Sequence, residues 1–157
     1  MRISFFLTSS FFPFATSFNS IAKNQNDWIL NQTTEQDRFA IIQKYLRGFD
    51  QPMLEVGQRF EKMHEAVERN NPEFAEYQWR KIKTTIHNGT LKRPARAHNA
   101  NAILFSGLWK KVQTSLLDGK PSDHKTAFNI AKGACMACHA AEKKAYINNQ
   151  ALFDLTF

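Results

Sequence analysis

Apolar side chains recur at three- and four-residue steps in four stretches of the chain, the period of helices that bury one face. The first stretch opens after Asp50 and Gln51 at Pro52, a residue suited to a helix start. It carries Met53, Val56, Phe60, Met63 and Val67 as far as Asn70 and Asn71. Asn71 and Pro72 open the second, with Ala75, Trp79, Ile82 and Ile86 on one side and a stop expected at Asn88 and Gly89. Pro94 opens the third, whose inward set is Ala102, Phe105, Trp109, Val112 and Leu116, ending at Asp118 and Gly119. The fourth starts around Pro121 and Ser122 and runs through Ala127, Phe128, Ala131 and Ala134 towards Tyr146. Short connections between comparable helices make neighbours antiparallel. The pattern therefore predicts an all-α chain folded as an antiparallel, up-down-up-down four-helix bundle.

Ahead of the bundle, Thr33-Thr34-Glu35-Gln36 resembles a capping box, and Phe39, Ile42, Leu46 and Phe49 follow at heptad-like spacing, which predicts a short extra N-terminal helix. The tail from Ala151 to Phe157 is apolar enough to dock. Residues 1–22 read as an export signal: one Arg, then an aromatic-rich stretch free of acids and bases, with cleavage after Ser17 or after Ala22 equally arguable. The expected organisation is thus a signal over 1–22, an extension with a short helix over 23–51, and the helical domain over 52–157. The product is expected to be soluble and periplasmic, and membrane-bound only if the N-terminal segment is retained as an anchor, since no later segment has the continuous apolar length to span a bilayer.

At 157 residues with 43% hydrophobic content, the chain supports one compact core. Its formal charge of +7 favours acidic partners. The basic residues are scattered along helical stretches without a nucleic-acid reading motif, so nucleic-acid binding is not expected. Trp79 and Trp109 fit either the core or a helix-face contact in a homodimer.

The chemistry gathers in Cys135-Met136-Ala137-Cys138-His139, the Cys-x-x-Cys-His spacing at which a polypeptide attaches haem c. Two thiols three residues apart on one helix face can add to the two vinyl groups of a single porphyrin, and the histidine beside them can turn a nitrogen onto the iron. A zinc site would want a second pair of Cys or His ligands, and the chain has only these two cysteines. A thioredoxin-type pair would want a strand before it, whereas the flanking residues read as helix.

Helix heights extend the argument to a second axial ligand. In an up-down bundle the end of the first helix, near Asn70, is level with the start of the fourth, near Ser122. Met53 and His139 each lie seventeen residues further down, about 25 Å at ~1.5 Å per residue. Met63 and His64 sit roughly 16 Å above that level and read as a core methionine and a helix-face, solvent-side histidine. His87 and His98 are weaker candidates, and His124 lies far above. Met53 opposite His139 would make a six-coordinate, electron-transferring iron; without Met53 the sixth position is open.

A haem motif near the C-terminus, on the last helix of such a bundle, resembles the class II c-type cytochromes, the cytochrome c-prime group and its low-spin relatives. The resemblance spans about residues 52–147, and its specific part is Cys135 to His139. It implies one covalently bound haem c, with Cys135 and Cys138 as thioether attachments and His139 as proximal ligand. Met53 stands where low-spin members have a distal methionine. It also implies a one-electron carrier rather than an enzyme, serving redox partner proteins with acidic docking surfaces. Lys92, Arg93, Arg96, Lys143 and Lys144 would face them at the haem end. The alternative, matching the high-spin members, is a five-coordinate protein that binds nitric oxide or carbon monoxide as sensor or scavenger. A peroxidase-like reaction would need His64 or His98 beside the iron, off their expected registers. The segment over 24–51 and the apolar tail after Asn149 depart from the family pattern. Class I cytochromes fit poorly, because they carry the haem motif near the N-terminus and no methionine follows His139.

Overall fold

A computed structural model describes residues 27–157, so the expected export signal lies outside the described residues. Those residues are helical or irregular, with no strand among them. The chain divides into two compact units, residues 1–45 and 46–157. Among the described residues no helix is long and apolar enough to cross a membrane.

The described part of the first unit centres on α1 (Glu35–Tyr45). Its start uses Thr34, whose hydroxyl accepts the amide of Asp37 at 3.0 Å and donates to the Asp37 carboxylate at 2.6 Å. The cap expected at Thr33–Gln36 therefore closes through Asp37 and not through Glu35 or Gln36. No residue of α1 is buried. Phe39 is exposed, and so is Leu46 beyond the helix end, so the heptad-like spacing does not form a core stripe.

In the second unit, α2 (Asp50–Glu68) starts two residues before the expected Pro52, which fits because a proline within the first helical turn forfeits no intrahelical hydrogen bond. Asn70, at φ 52°, turns the chain out of the helix. Asn71 then caps α3 (Pro72–Lys92), its side-chain oxygen accepting the Phe74 amide at 3.1 Å with Pro72 at the first helical position. The stop expected at Asn88 and Gly89 is absent: α3 continues to Lys92. Gly89 is instead a point of close approach, since a Cβ there would meet the Phe49 ring at 2.8 Å and Pro52 at 3.2 Å. Glycine lets α3 run against the start of α2.

The third expected helix is broken. A 3₁₀ turn (Pro94–Arg96), a single helical turn α4 (Ala97–Asn99) and a π-helical segment (Ala100–Phe105) precede Gly107, whose φ of +118° ends the run before α5 (Leu108–Asp118) begins. The extra residue of a π turn shifts the inward face. Ala100 and Leu104 are buried where Ala102 was expected, Ala102 is exposed and Phe105 is only partly covered. Beyond Gly107 the expected set of Trp109, Val112 and Leu116 is buried.

Helix α6 (Pro121–Ala141) opens with the Asp123 carboxylate accepting the Lys120 amide at 2.9 Å. It ends before the expected Tyr146, because Lys143 adopts φ 59° and the Lys144 amide reaches back to the His139 carbonyl at 2.8 Å, a left-handed C-terminal closure. A 3₁₀ turn (Ala145–Asn148) and the short α7 (Ala151–Asp154) complete the chain.

Helix α2 packs on α3, α3 on α5, α5 on α6, and α6 back on α2. Phe60, Met63, Trp79, Ile82, Val112, Leu116 and Phe128 fill the space between them. Burying each such side chain is worth about 1.5–3 kcal/mol, so this cluster is the main source of stability. Trp79 and Trp109 belong to it: their rings stack at 3.6 Å, and the Trp79 indole donates to the Trp109 carbonyl at 3.2 Å. The pair therefore belongs to the interior and offers no helix-face dimer contact.

Candidate cofactor site

Helical spacing puts Cys135 and Cys138 on the side of α6 that continues the buried Ala131 and Ala134, and His139 follows at the edge of that face. All three line a cavity of about 830 Å³. Across it α2 contributes Met53, Val56 and Phe60, and the π segment contributes Ala100 and Leu104. The volume lies in the upper part of the range for cofactor sites, and the walls are mostly apolar, as a desolvated macrocycle would require. Met53 reaches this wall from the first turn of α2, where its amide bonds the Phe49 carbonyl at 3.1 Å. Cys135, Cys138, His139 and Met53 thus share one cavity. Among the described residues, no group of three or more His, Cys, Asp or Glu side chains is arranged to hold a metal ion by itself. A porphyrin brings four nitrogens of its own and asks the chain only for axial groups, so this residue set fits haem c.

The thiols are free of disulfide bonds. Burial, with Cys138 beside it, pushes the Cys135 thiol up to about 12. Burial and then the nearby Glu142 carboxylate raise Cys138 as well. Cys135 has some accessible surface although its thiol is enclosed by protein, as expected of a side chain that faces a cavity. Burial thus favours the neutral thiol at both positions.

His139 is oriented from behind. Its Nδ1 lies 2.8 Å from Oδ1 of Asn148, and the Asn148 amide nitrogen donates to the Met136 carbonyl at 3.2 Å. Phe153 stands edge-on to the imidazole at 5.6 Å between ring centres. The tail residues Leu152 and Phe153 also line the cavity. Leu152 lies against Gly57 of α2, within 3.6 Å of where a Cβ would stand.

The other sequence candidates fall elsewhere. Met63 is wholly buried in the core. His64, expected on a solvent-side face, is only 7% exposed. It packs against the rings of Phe128 and Phe157, at 5.1 and 4.5 Å between centres, and those two rings also meet each other at 5.3 Å. His124 is buried and bonded to the Gly119 carbonyl. His87 lines a separate surface cleft with Lys83 and Phe105, and His98 is exposed. None of these histidines lines the large cavity.

Of the basic residues expected at the haem end, Arg96 and Lys144 line the cavity. Arg96 is paired with Glu142, whose other oxygen accepts from Asn99 at 2.7 Å. Arg93 is spent on the carbonyls of Arg47 and Lys92. Asp50, Glu61 and Glu142 also line the cavity, so its rim carries both signs of charge.

The sequence reading missed Asn148, Glu142 and Asn99. An asparagine just past a helix end is a weak signal, and only the reversal at Lys143 brings it back to His139. No protein-family model, curated protein or solved structure matches the chain.

Proposed function

We propose that this chain is a periplasmic one-electron carrier of the class II c-type cytochrome kind. In this reading α2, α3, the segmented arm ending in α5, and α6 form an antiparallel four-helix bundle around one covalently held haem c. The observation that carries the reading is the shared cavity: Cys135, Cys138 and His139 from α6 and Met53 from α2 all line it. Cys135 and Cys138 would attach the group, His139 would take the proximal position and Met53 the distal one. Haem c, when bound, supplies a one-electron iron couple whose potential depends on the axial groups and on burial.

The chain's own residues do the rest. Val56, Phe60 and Leu104 keep water from the site, so that charge there interacts more strongly with fixed dipoles than it would in solvent. Glu142, itself held by Asn99, keeps Arg96 at the cavity rim, where its charge can meet a propionate. The exposed Tyr146 and Ile147, next to Lys143 and Lys144, offer an apolar contact with a basic flank for an acidic redox partner. Export through residues 1–22 is part of the same proposal, because haem c is attached outside the cytoplasm in the systems this motif resembles.

Met53 distinguishes the carrier from the five-coordinate, gas-binding alternative. The exported protein should give a low-spin absorption spectrum with a methionine-to-iron band. Met53→Ala should convert it to a high-spin form that takes up carbon monoxide at once when reduced. A wild-type protein that is already high-spin would favour the gas-binding reading.

A further inference from the structure

Asn148 ties together two parts of the cofactor motif. Its Nδ2 donates to the carbonyl of Met136, between the two cysteines, and its Oδ1 meets His139 Nδ1. These bonds fix the amide's orientation: turned over, it would set Oδ1 against the Met136 carbonyl, two acceptors with no proton between them. With Oδ1 necessarily towards the ring, Nδ1 must carry the imidazole proton. The lone pair is then left on Nε2.

The turn that delivers Asn148 is itself determined. Lys143 at φ 59° reverses the chain, and the Ile147 amide closes the 3₁₀ turn on the Lys144 carbonyl at 2.9 Å.

We infer that Asn148 is a positioning residue that locks His139 as its Nδ1-protonated tautomer, presents Nε2 as the ligand nitrogen, and sets its donor strength towards iron. The second half of this rests on the haem reading, but the tautomer does not. An acceptor on Nδ1–H makes the imidazole a stronger donor and favours ferric over ferrous iron. A neutral amide does this less than a carboxylate and more than no acceptor. The chain therefore holds an intermediate setting.

Two measurements on the full chain test this, with Asn148→Leu and Asn148→Asp beside the wild type. The first is nitrogen NMR of His139 in protein purified without cofactor. The wild type and Asn148→Asp should show the Nδ1–H form, and Asn148→Leu should revert towards the Nε2–H form that a free histidine side chain prefers. The second is the midpoint potential of haem-loaded protein. It should rise in the order Asp, Asn, Leu, each step changing the ferric-to-ferrous preference about tenfold, or about 59 mV for one electron. An unchanged tautomer in Asn148→Leu, or potentials out of that order, overturns the inference. A wild type that remains colourless while Asn148→Leu still loses the Nδ1–H form supports the positioning role and sinks the haem reading.

Discussion

His64 Nε2 lies 2.9 Å from the carbonyl oxygen of Thr156, joining α2 to the end of the chain across a separation of 92 residues. A second bond among the described residues also fastens the tail, Lys132 Nζ donating to the Leu155 carbonyl at 2.6 Å. Just before these anchored residues, the apolar Leu152 and Phe153 line the cavity. The tail is thus a strap over the candidate site, with His64 and Lys132 among its fastenings.

Removing the latch should loosen the strap. His64→Ala deletes a buried ring and its hydrogen bond and should cost about 2–3 kcal/mol in urea unfolding. Phe157→Ala, losing its ring contacts with His64 and Phe128, should cost about 1–2 kcal/mol. The two rings stack, so the double variant should cost less than the sum. Strict additivity would show that the stack contributes nothing.

Acid should weaken the link between α6 and the 94–99 segment. Burial pushes the Glu142 carboxyl up, but hydrogen bonds from Asn99 and Arg96 and the Arg96 charge outweigh it and hold the group below its ordinary 4.5. A carboxylate lowered on folding stabilises the protein above 4.5, and that contribution disappears as pH falls through the folded value. Arg96 is 40% exposed, so the pair is worth only about 1 kcal/mol. Stability measured against pH should fall less steeply on the acid side in Glu142→Gln than in the wild type; parallel curves would show that Glu142 contributes nothing to acid stability.

The cysteines carry the opposite dependence in the chain before attachment. Cys135 is raised from 9.0 to about 12, so the folded state holds its proton more tightly than the unfolded one. That contribution is intact below about 9 and lost as pH climbs towards 12. Alkylation of the cofactor-free protein should be slow at pH 8 and accelerate only well above it, while urea-unfolded protein should react as an ordinary thiol does. Rapid labelling of folded protein at pH 8 would contradict the enclosed, neutral thiols described above.

The helices were legible from the sequence wherever burial follows a regular period. The faces carrying Val56, Phe60 and Met63, and Trp79, Ile82 and Ile86, are the buried ones, because 3.6-residue periodicity and a packed core impose the same spacing. The arm before α5 was not legible. Its π segment and the positive φ of Gly107 break the period, and a local insertion in the hydrogen-bond ladder leaves no mark in hydropathy. Gly89 misled for a related reason: glycine marks helix ends and close helix contacts alike, and only the position of Phe49 distinguishes them. Cys135, Cys138 and His139 stand out by spacing, and the helix-height argument for Met53 is consistent with its lining the same cavity. Asn148 acts through a contact set by the reversal at Lys143, and Glu142 through contacts with the segment that follows the end of α3, which no short-range pattern reveals.

If Cys135 and Cys138 hold a haem beside His139, as proposed, the group is bonded covalently to the chain, and that bond can be measured directly. The full chain should be exported from a host competent in cytochrome c maturation, denatured, and examined by mass spectrometry and haem-stained electrophoresis. One haem per chain should survive denaturation in the wild type, and a Cys135→Ala/Cys138→Ala protein should lose it. A colourless wild-type chain of unmodified mass, from a host that matures a control cytochrome, would contradict the account.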